Sequence, residues 1–128
     1  MSEAACTALL AVTILLIKHT VGDYFLQTAY QFRNKGTYGH PGGILHAGIH
    51  ALLTIPLFAY LPPSSALLGA GIVLGEFVIH YHLDWSKEQL VKRFGLVQTD
   101  PWFWYLFGLD QVGHYLTYIA IIVLLLTW

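Results

Sequence analysis

Four pairs of side chains, each spaced four residues apart, carry most of the chemistry legible in this sequence: His19 and Asp23, His46 and His50, His80 and Asp84, and Asp110 and His114. On a helix that spacing stacks both members of a pair on one face. The chain has 7 His and 4 Asp among 128 residues, which if scattered would produce about one His/Asp pair at this interval. Four occur, each in a different apolar segment. Together they supply five imidazoles and three carboxylates, a ligand set of the kind that four-helix bundles use for two metal ions. Mixed nitrogen and oxygen donors suit Zn, Fe or Mn, and the lone Cys6 lies far from all of them in sequence, which disfavours a thiolate-rich site. The expected cofactors are therefore two divalent metal ions.

The elements that must position these groups follow from composition. Charged residues are 10% of the chain, hydrophobic residues 56% and aromatic residues 15%, whereas a soluble domain carries about 25% charge. Apolar runs at about 4–28, 42–61, 65–86 and 101–127 each reach the roughly 20 residues that cross a bilayer. The expectation is an all-α integral membrane four-helix bundle, with residues 1–128 as one transmembrane domain. The first run lacks a basic leader and a small-residue cleavage site, so it is expected to be a retained span. Pro56 should kink the second, and Gly71 and Gly75 fall on one face of the third, a spacing that lets membrane helices approach closely. The stretch 30–41 reads as a polar loop. With a net charge of -1 and no basic face, nucleic acid is not an expected partner.

Basic residues sit in the first loop (Arg33, Lys35) and at the third (Lys87, Lys92, Arg93), and none lies in the second loop or at either terminus. By the positive-inside rule those two loops are cytoplasmic and both termini face the other side. Measured from the cytoplasmic ends, Asp23, His46, Asp84 and Asp110 come first. His19, His50, His80 and His114 follow about one turn deeper, roughly 6 Å. Around the two layers lie Gln27, Lys87 and Gln111 as substrate-binding candidates, with Glu76, Thr54 and Tyr118 below. Ionisable groups inside a membrane cost about 2.5–3.5 kcal/mol each and usually mark a functional interior. Lys18, Glu76 and His82 read instead as hydrogen-bonded interior residues without a ligand role, and His40 as a solvated loop residue.

The segments His19-Thr-Val-Gly-Asp23-Tyr-Phe-Leu-Gln27, His46-x3-His50, His80-x3-Asp84-x2-Lys87 and Asp110-Gln111-x2-His114 resemble a bacterial and phage family of small multi-pass membrane proteins known as a domain of unknown function. The resemblance covers nearly the whole chain. It implies a multi-pass architecture in a bacterial cell membrane and a shared set of polar positions, without an activity. There is also a looser similarity to membrane-bound metal-dependent hydrolases, whose histidine motifs differ.

The residues themselves suggest a metal-dependent hydrolase of a lipid-linked or phosphate-containing substrate at the cytoplasmic leaflet. Asp23, Asp84, Asp110 and Lys87 are the candidate catalytic groups, with a metal-activated water as nucleophile. Transport or sensing of a metal ion or protons is the alternative, although four crossings are few for a path unless the chain forms a homo-oligomer. A haem bundle and a non-catalytic membrane subunit are the other readings.

Overall fold

Each helix of this chain begins where a side chain or a proline can manage the free N–H groups of a first turn. Ser2, Thr28, His40 and Ser65 each accept a hydrogen bond from the backbone that follows, and Pro41 and Pro101 stand in first turns where no partner for N–H is needed. The computed structural model of the chain describes residues 2–128 and forms α1 (Glu3–Thr20), α2 (Ala29–Asn34), α3 (Pro41–Leu52), α4 (Ala66–Arg93) and α5 (Pro101–Thr127). A π-helical turn, Val21–Phe25, continues α1, and a 3-10 turn, Ile55–Ala59, continues α3. No strand occurs among the described residues. Four units, Glu3–Phe25, Pro41–Ala59, Ala66–Arg93 and Pro101–Thr127, are long and apolar enough to cross a membrane.

The helix α4 packs between α3 and α5, α1 packs on α5, and the π turn and the 3-10 turn close the ring between α1 and α3. Large apolar side chains such as Ile17, Leu67, Leu74, Leu109 and Leu116 point outward, while the enclosed positions include more polar or charged side chains than apolar ones. That distribution suits lipid outside and polar groups inside. The interior divides along the bundle axis. One zone is an apolar cluster of Ala11, Leu15, Leu57, Ile72, Ile121, Ile122 and Leu125, with Tyr118 at its edge. The other holds His19, His46, His50, His80, Asp84, Asp110 and His114, all buried.

Three expectations change. The stretch 30–41 is not a solvated loop, because Thr28 and Gln31 form a reciprocal capping box that starts α2. This short helix packs on α3 and buries Gln31 and Lys35. The second crossing is broken, not merely kinked: α3 stops at Leu52, since the ring of Pro56 would meet the carbonyl four residues back and offers no N–H to it. Gly71 and Gly75 do not mark a close helix approach, because a Cβ built at either meets nothing within 4 Å.

Between the two zones, Lys18 is buried and ion-paired with Glu76 while also donating to the His50 carbonyl at 2.9 Å; Thr54 donates to the other Glu76 oxygen at 2.5 Å. This pair joins α1, α3 and α4 and satisfies two charges that the apolar surroundings would otherwise penalise. Glu76→Leu alone should lower stability by about 3–5 kcal/mol, because it leaves a buried ammonium unpaired. The double variant Lys18→Met, Glu76→Leu should recover most of that loss. Thermal unfolding in detergent measures both, and an equally unstable double variant would refute this account of the pair.

Candidate metal centre

The centre is assembled from four helices. The π turn widens the backbone by one residue, with Leu26 N–H bonded to the Val21 carbonyl at 3.0 Å, and carries Asp23 inward from the end of α1. Helix α3 contributes His46 and His50, α4 contributes His80 and Asp84, and α5 contributes Asp110 and His114. Ring centroids lie 4.0 Å apart for His50 and His80, 4.1 Å for His80 and His114, 4.7 Å for His46 and His50, and 5.2 Å for His46 and His80. His80 is the central ring.

The carboxylates thread between these rings. Asp23 Oδ1 lies 3.1 Å from His50 Nε2 and 3.4 Å from His46 Nε2. Asp84 Oδ2 lies 3.2 Å from His46 Nε2 and 3.6 Å from His80 Nε2, and Asp84 Oδ1 is 3.7 Å from His114 Nε2. Two groups have donor atoms close enough together to hold a metal ion: Asp23, His46, His50 and His80, and then His80, Asp84 and His114. His80 belongs to both.

Not every close pair is a hydrogen bond. Both ring nitrogens of His50 and of His80, together with Asp84 Oδ2 and Asp110 Oδ1, are buried without a hydrogen-bond partner among the described residues. The 3.1 Å approach of Asp23 to His50 therefore brings the atoms together without the direction that a hydrogen bond requires. A buried polar atom left in that state costs about 1–3 kcal/mol, so a purely structural polar network would be expected to satisfy these rings. Donor atoms that point toward one another without shared protons suit a cation.

His19 and Asp110 stand at the edges of this arrangement and outside both groups. His19 Nε2 faces two acceptors, Gln111 Oε1 at 3.0 Å and Asp23 Oδ2 at 3.2 Å, so that nitrogen bears the proton and His19 Nδ1 accepts from the Tyr118 hydroxyl at 2.7 Å. Both nitrogens are thereby engaged, and the ring orients Asp23. Asp110 Oδ1 is 3.5 Å from His114 Nε2, and its other oxygen accepts from Gln111 Nε2 at 3.3 Å. Gln27 Nε2 stands 3.2 Å from both ring nitrogens of His46. The buried Lys87 is paired with Glu88 at 2.5 Å.

Two peripheral histidines differ from their sequence reading. His40 is the half-buried N-cap of α3 and accepts from Gly42 N–H at 3.1 Å. It is not simply solvated, because Pro41 behind it starts a helix that needs an acceptor there. His82 is exposed on α4, bonded to the Val78 carbonyl and Tyr38, since two positions beyond His80 the helix turns it outward.

Two residues escaped sequence reasoning. Lys35 reads in the sequence only as a loop charge, yet it is buried with Nζ 3.4 Å from Asp84 Oδ1. Burial alone would lower its ammonium, but the carboxylates of Asp84, Asp23 and Asp110 prevail and raise it above the ordinary lysine value. It stays charged beside the centre. Gly22 packs under His50: a Cβ there would lie 2.5 Å from both Cε1 and Nε2 of that ring. The glycine next to Asp23 in the first motif was the available signal for it.

Residues 11–128 match the family described as "Protein of unknown function (DUF3307)", and the chain belongs to that family. No curated protein and no solved structure matches it.

His50 is fully buried and cannot swing away, so Gly22→Ala should destabilise the protein by about 1–3 kcal/mol through overpacking. Gly48→Ala, at a helical site with nothing within 4 Å, should be neutral or slightly stabilising. Comparing the two unfolding midpoints in detergent checks this, and equal midpoints would mean that Gly22 does not support the His50 ring.

Proposed function

We propose that this member of the family is a membrane-embedded, metal-dependent hydrolase whose centre holds two divalent ions, Zn, Fe or Mn, close to the face that bears Arg33, Lys92 and Arg93. The observation that carries this reading is the convergence on His80: it belongs to two candidate donor groups, and its own nitrogens lack hydrogen bonds among the described residues. Asp23, His46 and His50 would hold one ion. His80, through the single lone pair of its neutral ring, would hold the second with Asp84 and His114, and three protein ligands are the usual number where a coordination position is left for water or substrate.

Such ions supply Lewis acidity and a bound water of lowered pKa. The surrounding residues divide the remaining work. His19 holds Asp23 in place through Nε2 and is itself held by Tyr118 and Gln111. Asp110 has one carboxylate oxygen without a hydrogen bond and lines the cleft beside the centre, which suits a general base. Lys35 keeps Asp84 compensated. Gln27, Gln111 and Lys87 line the same cleft, where a substrate would enter. By the distribution of basic residues, that face is the cytoplasmic one.

Conduction of ions or protons is the weaker reading. The polar chain continues past the centre through Lys18, Glu76 and Thr54, but Ala11, Leu15, Leu57, Ile72, Ile121 and Ile122 then close the bundle with apolar packing. A one-sided pocket fits better. A haem would need a slot between facing imidazoles, and rings 4.0–5.2 Å apart flanked by Asp23 and Asp84 leave none.

Detergent-purified protein should contain about two equivalents of a divalent transition metal, and the His50→Ala, Asp84→Ala variant close to none. Elemental analysis of the two side by side checks this. Chelation should abolish release of phosphate or carboxylate from ester substrates, and re-addition of the metal should restore it. Metal-free protein that gains no metal from Zn, Fe or Mn would overturn the centre, and metal-loaded protein inactive on every ester would overturn the hydrolase.

A further inference from the structure

The candidate centre opens into a cleft of about 370 Å³, a size in the range of small-ligand sites. Asp23, Asp110 and Gln111 of the centre line it together with Gln27, Lys35 and Lys87. Its outer wall is of another character. Phe32 of α2 and Phe103, Trp104 and Phe107 of α5 line it, and Phe32 and Trp104 are more than half exposed. The Trp104 indole is held by donating to the Gln98 carbonyl at 2.8 Å. A ligand in this cleft thus meets charged and hydrogen-bonding groups next to the centre and aromatic rings beyond them.

We infer that the cleft receives an amphiphile with a phosphate ester head group, with the phosphate between Lys87 and the metal centre and the apolar chain leaving along Phe32 and Trp104. This rests on the metal-centre reading above and adds the substrate class to it.

Charge selects the head group. The carboxylates of Asp23, Asp84, Asp110 and Glu88 outnumber the ammonium groups of Lys35 and Lys87 by two, and two divalent ions reverse that balance to two positive charges. Without metal the cleft repels anions. With metal it favours an anion that can bring about two negative charges and several acceptor oxygens, which a phosphomonoester does and a carboxylate does not. The amides of Gln27 and Gln111 supply uncharged donors at the same level. The aromatic wall selects for the tail, because rings at a membrane interface accept acyl chains on one side and polar groups on the other.

The test uses full-length protein in detergent micelles with Trp85, Trp102 and Trp128 changed to Phe, so that Trp104 alone reports on the cleft by fluorescence. Metal content is measured on the same samples. The probes are inorganic phosphate, dihexanoyl phosphatidic acid, and dihexanoyl glycerol, which lacks the phosphate. Metal-loaded protein should bind the phosphatidic acid saturably and at least about tenfold more tightly than inorganic phosphate. It should show no saturable response to the diacylglycerol, and chelation should remove the phosphatidic acid response. Lys87→Gln should weaken binding by about tenfold with unchanged metal content, and Lys87→Arg should restore it.

Metal-loaded protein that ignores phosphatidic acid, or binds diacylglycerol as well, overturns the inference and leaves the metal centre standing. Equal affinity for inorganic phosphate overturns the role of the tail. Protein that takes up no metal overturns the centre and the inference together.

Discussion

A neutral imidazole carries one N–H and one lone pair, and a bundle that buries His80 among other imidazoles and a carboxylate leaves neither nitrogen with a hydrogen-bond partner among the described residues. The rest of the structure depends on resolving that constraint. Lipid outside offers no hydrogen bonds, and each unsatisfied buried group weakens the fold. Two donor groups meet at His80, and a cation in either would take its lone pair. Much of the neighbouring structure can be understood as keeping the donors in place: the widened turn that delivers Asp23, the glycine beneath His50, and the lysine that balances Asp84.

The division of the interior into two zones gives this centre its sidedness. The apolar cluster around Leu15, Leu57 and Ile121 holds the helices together at the other end of the bundle, and the Lys18–Glu76 pair marks the boundary. Beyond it, polar groups replace core packing. A buried ion pair is weak evidence for stability in itself, but here it ties three elements at the level just beneath the imidazoles. The break after Leu52 has a related consequence. Because Pro56 ends the regular helix, the hydroxyl of Thr54 sits at the break and reaches Glu76.

The four crossings and the eight polar positions were legible because their signals are local. Hydropathy over roughly 20 residues identifies a span, and a spacing of four residues puts two side chains on one face whatever the helix packs against. Lys35 and α2 were hidden for the opposite reason. A six-residue helix has no periodicity to detect, and a lysine in a polar stretch looks solvated until the chain folds it onto Asp84. Gly71 and Gly75 misled because small-residue spacing says which face permits a close approach, not whether a neighbour comes to it.

Alone, the sequence determined that the chain forms apolar helices and that each carries a His/Asp or His/His pair on a single face, since both properties follow from the nearest few residues. Only the tertiary structure decided which donors converge. His80 stands at the centre, while His19 is drawn aside by Tyr118 and Gln111, and Asp110 turns toward the cleft. Equal spacing within each helix makes the pairs look equivalent. Their roles diverge because helix rotation and depth, set by packing between segments far apart in the chain, place some nitrogens against carboxylates and others against hydrogen-bond partners.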